Sequence, residues 1–315
     1  MNAGLIIGAL ELGGIYAVMS MGIYITYKIL DFPDLTVDGS FPLGGAVTAV
    51  MLAHGFNPAV TMLVAVLCGA LAGLCTGFIH VKCKIRDLLS GIIVMTALYS
   101  VNFIIVGKAN MPVMNSTSTV FSNPLILSLF GNKENQDAPL YFIRDYRIII
   151  ILLIFIIALK VIIDLFLKTK CGYLLRATGD NPSVVGTLAK NSGNMKILGL
   201  TIANALVALS GSLFCQYNKA FNLTDGTGKM VIGLAAVIIG INIFGRIKHL
   251  KPTTAVAIGS VIYTACVAIA LKQFDSNVKN LVTAILFLVV LVLGQHKFGG
   301  KNKKIEKAVS DNAGA

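Results

Sequence analysis

The sequence predicts an all-α protein that crosses a membrane many times, and three observations carry that prediction. The chain is 56% apolar and only 13% charged, against roughly 45–50% and 25% in soluble domains. Its mean hydropathy is +0.82. Its apolar residues gather into runs near the ~20 residues that a helix needs to cross a hydrocarbon core of about 30 Å.

In chain order the runs are residues 5–29, 59–81, 88–106, 148–167, 197–215, 230–244, 253–271 and 278–294. Each reads as a full span. A shorter run at residues 41–53 reads as a half-span or a steeply placed helix. Allowing for interrupted helices, about 8–10 transmembrane helices are expected. Residues 1–4 have no basic n-region and the first run has no small-residue cleavage site, so it reads as a span rather than a signal peptide. Residues 1–296 then form the transmembrane domain, and 297–315 a small, polar, basic tail.

Basic residues orient the spans. If residues 82–86 are cytoplasmic, alternation puts 168–196, 246–251 and the tail on the same side and the amino terminus outside. Seventeen of the 26 Lys and Arg then lie inside and eight outside, with Lys160 in a span, as the positive-inside rule requires. The net charge of +12 is thus chiefly a topology signal. A nucleic-acid partner would need these charges on one soluble surface, and they are spread over the inter-span loops. The six cysteines show no paired spacing, which implies neither a disulfide framework nor a zinc site. His54, His80, His249 and His296 fall at span ends, and no metal site is expected.

Two polar interruptions break the apolar pattern. The first holds Asp31, Pro33, Asp34, Thr36, Asp38, Ser40 and Pro42; proline disfavours helix before it, and Asp-Gly is a turn signal. The second runs from Asn222 to Gly228 and includes Asp225. Both carry Leu-Thr and then Asp-Gly. They enter from opposite sides in this topology, as in an inverted repeat whose broken helices meet near the midplane. Irregular backbone at that depth needs protein or water to satisfy it.

Residues 176–196 are a polar, basic interlude between two runs. Asn181 can cap a first helical turn, Pro182 fits the first helical position, and Gly193 follows as a stop. That predicts a helix at 182–190, about 13 Å long, with Val184, Val185, Leu188 and Ala189 on one face. It serves either as a plug for a socket in another protein or as a helical turn in a solvated loop. The long external segment, residues 108–147, is either a lid or docking platform or a solvated loop. Ionisable groups within spans are functional candidates because each is costly in lipid. Glu11, with Tyr16 and Tyr24 beyond it, either faces a pathway and meets a substrate ammonium, or makes a structural hydrogen bond or lies near the external interface. Lys160 and Asp164 are spaced for an ion pair, although snorkelling to the interface also fits. Asn102, Asn204 and Asn242 are amides of the kind that join helices.

Four motifs in order resemble the permease subunits of ABC importers for branched-chain amino acids, ribose and nucleosides. They are Leu12-Gly-Gly-Ile-Tyr-Ala-Val-Met-Ser-Met-Gly22, Asp34-Leu-Thr-Val-Asp-Gly-Ser40, Gly226-Thr-Gly228 leading into Gly233-Leu-Ala-Ala-Val-Ile-Ile-Gly240, and Arg176-Ala-Thr-Gly-Asp-Asn181 with Lys196. The string from Ile29 to Gly44 is similar to a bacterial subgroup associated with tryptophan and tyrosine uptake. The resemblance implies a type II importer fold in a bacterial plasma membrane, entered without the extra first span of ribose-type permeases. It implies a second permease copy (a homodimer), a separate ATPase that binds the ATP, and an extracytoplasmic solute-binding protein. The chain itself would be no enzyme and carry no cofactor; it has no Gly-x-x-x-x-Gly-Lys-Ser/Thr nucleotide loop. The implied solute is small, with amino acids, aromatic ones included, as the first choice. Glu11, Tyr16, Asp34, Thr36, Asp38, Ser40, Asn204 and Asp225 are the pathway candidates. Arg176, Gly179, Asn181, Pro182, Val185, Leu188 and Lys196 are the candidates for coupling to the ATPase. An ion-coupled secondary transporter, which also uses inverted repeats and broken helices, is the alternative. No catalytic constellation supports an intramembrane enzyme.

Overall fold

The computed structural model describes residues 3–113, 118–122, 146–181, 185, 192–245, 247, 250–271, 281, 283–290 and 292. Seven helices among them are long and apolar enough to cross a membrane. The eighth expected span, 278–294, is described only at 281, 283–290 and 292, all of them helical. Most of the external segment 108–147 and the tail lie outside the described residues.

Helix α1 (Ala3–Ile23) continues into a π-helical turn, Tyr24–Ile29. Asp31 ends it with φ +52°, a left-handed stop usually left to glycine and tolerated by Asp. The first interruption is shorter than predicted. Helix α2 spans Val37–Ala53 and contains both the Asp-Gly pair and Pro42, where a turn was expected. Pro42 lacks the N–H that would bond the Asp38 carbonyl, and the chain meets that carbonyl from elsewhere: Gly226 lies against it and against the Pro42 ring, where any Cβ would overlap both.

Helix α3 (Pro58–Lys82) is capped by Asn57, whose side chain accepts from the Ala59 N–H at 2.9 Å. Helix α4 (Asp87–Val106) stops at Gly107, φ +73°, whose N–H bonds the Phe103 carbonyl at 2.7 Å. Helix α5 spans Arg147–Phe166. Helix α6 (Lys170–Asp180), capped by Thr169, was not predicted, because its sequence is too polar for the span pattern. Helix α7 (Ser192–Asn218) starts earlier than expected and takes Gly193 into its first turn, so Gly193 is not a stop. A 27-residue helix easily absorbs the ~1 kcal/mol that one glycine costs. Strand β1 (Asn110–Pro112), after α4, pairs antiparallel with β2 (Ala220–Asn222), after α7. The 3-10 turn Leu223–Gly226 leads to α8 (Lys229–Phe244), and α9 spans Pro252–Leu271.

The packing repeats between halves. α1 lies against α8 and α9, while α7 lies against α2 and α3, and α1 and α7 touch each other. Lipid offers no hydrophobic drive between helices, so close approach and polar pairing hold these contacts. Gly69, Gly73 and Gly77 on α3 abut the α7 backbone at Asn204, Leu200 and Ile197. Ser210 donates to the Ile15 carbonyl at 2.8 Å, Ser260 to that of Gly13 at 2.9 Å, and Thr48 to Ser212 at 2.6 Å. Ile15, Met19, Met21 and Ile25 of the first span are completely enclosed.

Candidate functional site

The first cluster surrounds Asp34, which is 1% exposed. Its Oδ1 accepts from the Thr36 N–H at 2.9 Å and its Oδ2 from Asn204 Nδ2 at 2.7 Å. Asn204 Oδ1 in turn accepts from Ser40 at 2.8 Å, and Thr36 shares a 2.8 Å hydrogen bond with Thr76. Four pathway candidates thus converge, tying the 31–36 loop to α2, α3 and α7. Gly91 of α4 closes over Leu35 and Asp34, so the cluster is sealed by protein and acts as a pin.

A second cluster joins the two interruptions. Asp38 caps a helix from the other half: its carboxylate accepts from the Gly228 N–H at 3.0 Å and the Met230 N–H at 2.7 Å. This satisfies the free donors at the start of α8 and puts negative charge at its positive end. Gly228 itself has φ +76°. Asp225 Oδ2 accepts from the Asn222 N–H at 3.2 Å, which orders the 3-10 turn.

Beside this junction Lys229 is 6% exposed and donates to Tyr16 Oη at 2.7 Å. Its Nζ lies 4.5 Å from the Tyr16 ring centroid, 4.9 Å from Phe41 and 4.7 Å from Phe214. Three ring faces and two nearby carboxylates, Asp225 and Asp38, offset part of the cost of enclosing this charge. Sequence reasoning missed Lys229. The available signal was a lone cation directly after Gly-Thr-Gly and before 15 uncharged residues. Glu11 is also enclosed and accepts from Tyr217 Oη at 2.9 Å, a hydrogen bond of the kind foreseen as one of its roles.

Two cavities flank the junction. One, of about 390 Å³, lies between α2 and α4 and is lined by Asp38, Gly39, Thr96, Tyr99, Ser100 and Asn102. The other, of about 330 Å³, is lined by Phe214, Asp225, Gly228, Lys229 and Thr283. Thr227 faces both. Asp34, Thr36, Ser40 and Asn204 line neither. A third cavity, of about 560 Å³ between α3, α5 and α7, is apolar. Among the described residues no group of His, Cys, Asp and Glu could hold a metal ion.

The coupling candidates divide. Arg176 is exposed on α6, and Gly179 packs on the Ile29 carbonyl of the π-helical turn. Asn181 ends α6, its N–H bonded to the Ala177 carbonyl at 2.9 Å, and Pro182 and Leu188 lie outside the described residues. Val185 is helical and fully buried within the chain, so it is not free to contact a partner as expected. Lys196 Nζ is 3.2 Å from His80 Nε2, and His80 Nδ1 is 2.8 Å from the Ile85 carbonyl. The His80 ring stands edge-on to Phe32 at 5.1 Å, within the loop that carries Asp34. Lys160 and Asp164 do pair, at 3.7 Å, and Asp164 also accepts from Lys251 at 2.9 Å and Thr253 at 2.7 Å.

A family model described as "Branched-chain amino acid transport system / permease component" matches residues 5–291. The chain is 42% identical over 282 residues to a tyrosine transport system permease protein of Clostridioides difficile (strain R20291), covering 89% of this chain and 88% of that one. It is 24% identical to a probable branched-chain amino acid transport permease protein of Methanocaldococcus jannaschii, covering 96% and 94%. It is 23% identical to a ribose import permease protein of Escherichia coli (strain K12), covering 73% and 67%. No solved structure matches it.

Proposed function

Since the chain belongs to the family of branched-chain amino acid transport system permease components, we propose that it is the membrane-spanning subunit of an ATP-driven importer in a bacterial plasma membrane. An external binding protein delivers the solute, a cytoplasmic ATPase drives the cycle, and a second copy of the chain completes the pathway. The amino terminus lies outside and the carboxyl terminus in the cytoplasm. The solute is an amino acid, with aromatic ones first, a choice supported by the tyrosine permease at 42% identity.

The junction of Asp38 with the start of α8 is the observation that carries this reading. A polar break inside a set of spanning helices, with a cavity on either side, is what a solute route requires. Opening the route means parting Asp38 from Gly228 and Met230, which separates two elements of opposite halves. Coupling follows from α6. Its exposed Arg176 side meets the ATPase, and Gly179 passes displacement to the turn at Tyr24–Ile29. From there it reaches the Asp31 to Thr36 loop and α2.

The test is uptake of radiolabelled tyrosine by vesicles containing this chain, its ATPase and its binding protein. Accumulation should require all three and internal or external ATP on the ATPase side. Accumulation by the chain alone, driven by an ion gradient, would establish the secondary-transporter alternative instead.

A further inference from the structure

One face of α4 is wrong for lipid. Thr96, Tyr99 and Ser100 are exposed and sit three and four residues apart, so they form one stripe. The rest of the exposed surface of α4 is Leu88, Leu89, Ile93, Ala97, Val101, Phe103 and Ile104. Thr96 returns its hydroxyl to the Ile92 carbonyl at 2.8 Å. Among the described residues Tyr99 and Ser100 have no hydrogen-bond partner. Hydroxyls in that state need water or a solute.

The stripe opens on the cavity between α2 and α4, and the deeper wall has a second unmet need. Asn102 is fully buried, and its Nδ2 donates to the Gly39 carbonyl at 3.2 Å, which leaves Oδ1 enclosed without a partner. The amide cannot be turned round to relieve this, because the Gly39 carbonyl can only accept. The Asp38 carboxylate stands in the same wall, and among the described residues no cationic side chain lines the cavity. The lining therefore offers acceptors, the Asp38 carboxylate, whose charge Lys229 offsets in part from the other side of the junction, and the Tyr99 ring, with Met95 as apolar fill. That set suits a primary ammonium, which carries three donors and no acceptor and also favours an aromatic face.

We propose that the chamber between α2 and α4 is the subsite that receives the ammonium group of the transported amino acid, with Asp38 as its acceptor, Asn102 in the wall behind it and Tyr99 as its ring wall. This rests on the importer function proposed above. It adds Tyr99, Ser100 and Asn102 to the pathway and makes the exposed stripe of α4 one wall of it.

The test uses the full complex in vesicles with Ser100→Cys. Modification at position 100, followed by peptide mass so that the six native cysteines do not interfere, is timed with two methanethiosulfonates. One carries a trimethylammonium group and the other a sulfonate, and each rate is divided by that of a small free thiol. The cationic reagent should be favoured about tenfold, the low end of what a cleft of one charge sign contributes to encounter. The preference should fall close to one when Asp38→Asn is added. Excess tyrosine should slow the cationic reagent, whereas 3-(4-hydroxyphenyl)propionate, which lacks only the amino group, should not. Equal normalised rates, no reaction with either reagent, or equal protection by both compounds overturns the subsite. Tyrosine uptake by vesicles with the unmodified chain is read separately: uptake without charge preference removes the subsite and leaves the importer, and no ATP-dependent uptake removes the importer itself.

Discussion

Replacing Asp38 by Asn probes the junction between the halves with the smallest change of shape. The carboxylate accepts two backbone N–H bonds, at 3.0 Å from Gly228 and 2.7 Å from Met230. Hydrogen bonds to a charged group contribute about 1.5–3 kcal/mol each. Asn keeps one oxygen, hence one neutral bond worth about 1 kcal/mol, and turns an NH₂ toward the other donor, which is left unsatisfied. The charge at the positive end of α8 also disappears, at about 0.3–1 kcal/mol or somewhat more in a partly buried site. The sum is a loss of about 2–6 kcal/mol. Thermal unfolding in detergent should then move down by roughly 4–24 °C, using about 2–4 °C per kcal/mol for a large domain. Asp31→Asn is the control: Asp31 is exposed with φ +52°, which Asn tolerates well, so a change within about 0.5 kcal/mol is expected. If Asp38→Asn melts with the parent protein and also transports at the parent rate, Asp38 does not hold the junction and the route does not pass there.

Three further outcomes follow from the same geometry. Gly226→Ala should cost about 1–3 kcal/mol by overpacking against the Asp38 carbonyl and Pro42, seen as a lower melting temperature, whereas Gly8→Ala, which meets nothing within 4 Å, should not lower it. Lys229→Met removes the cation that faces the Asp38 and Asp225 carboxylates, so it should cost up to about 3–5 kcal/mol of stability and reduce tyrosine uptake at least ~10-fold; normal uptake would make the cation purely structural. Lys196→Met removes the contact with His80, and the ATPase of the assembled complex should lose about tenfold of its stimulation by loaded binding protein, at ~1.4 kcal/mol per factor of ten, while the subunits still co-purify. Unchanged stimulation would break the proposed line from α6 and α7 to the Asp34 loop.

The spans were legible in the sequence because lipid imposes one rule on every residue they expose. Predicted ends at Val106, Phe244 and Leu271 coincide with those of α4, α8 and α9. Asp34, Thr36, Ser40 and Asn204 were legible as polar groups out of place, but their convergence into a sealed pin depends on α7 crossing α2, which no local pattern encodes. Pro42 and Gly193 misled for a related reason: each has a strong local preference, and a long packed helix outweighs it. The short β pair joins residues 110 and 222, too distant for spacing to reveal. Tyr99 and Ser100 stood in plain view within an apolar run, and only the cavity beside Asp38 gives them meaning.

The exchange of partners between halves has a consequence for how the protein is made. Gly13 of α1 fits against Val261 of α9, which leaves the ribosome roughly 250 residues later, or about 12–50 s at 5–20 residues per second. Through that interval the first span holds Glu11 and open carbonyls with no α9 to cover them. The nascent chain therefore needs shelter at the insertion machinery until its last helices arrive. Slowing synthesis within residues 200–250 should prolong exposure of the early half to membrane proteases, whereas the same delay after Leu271 should not.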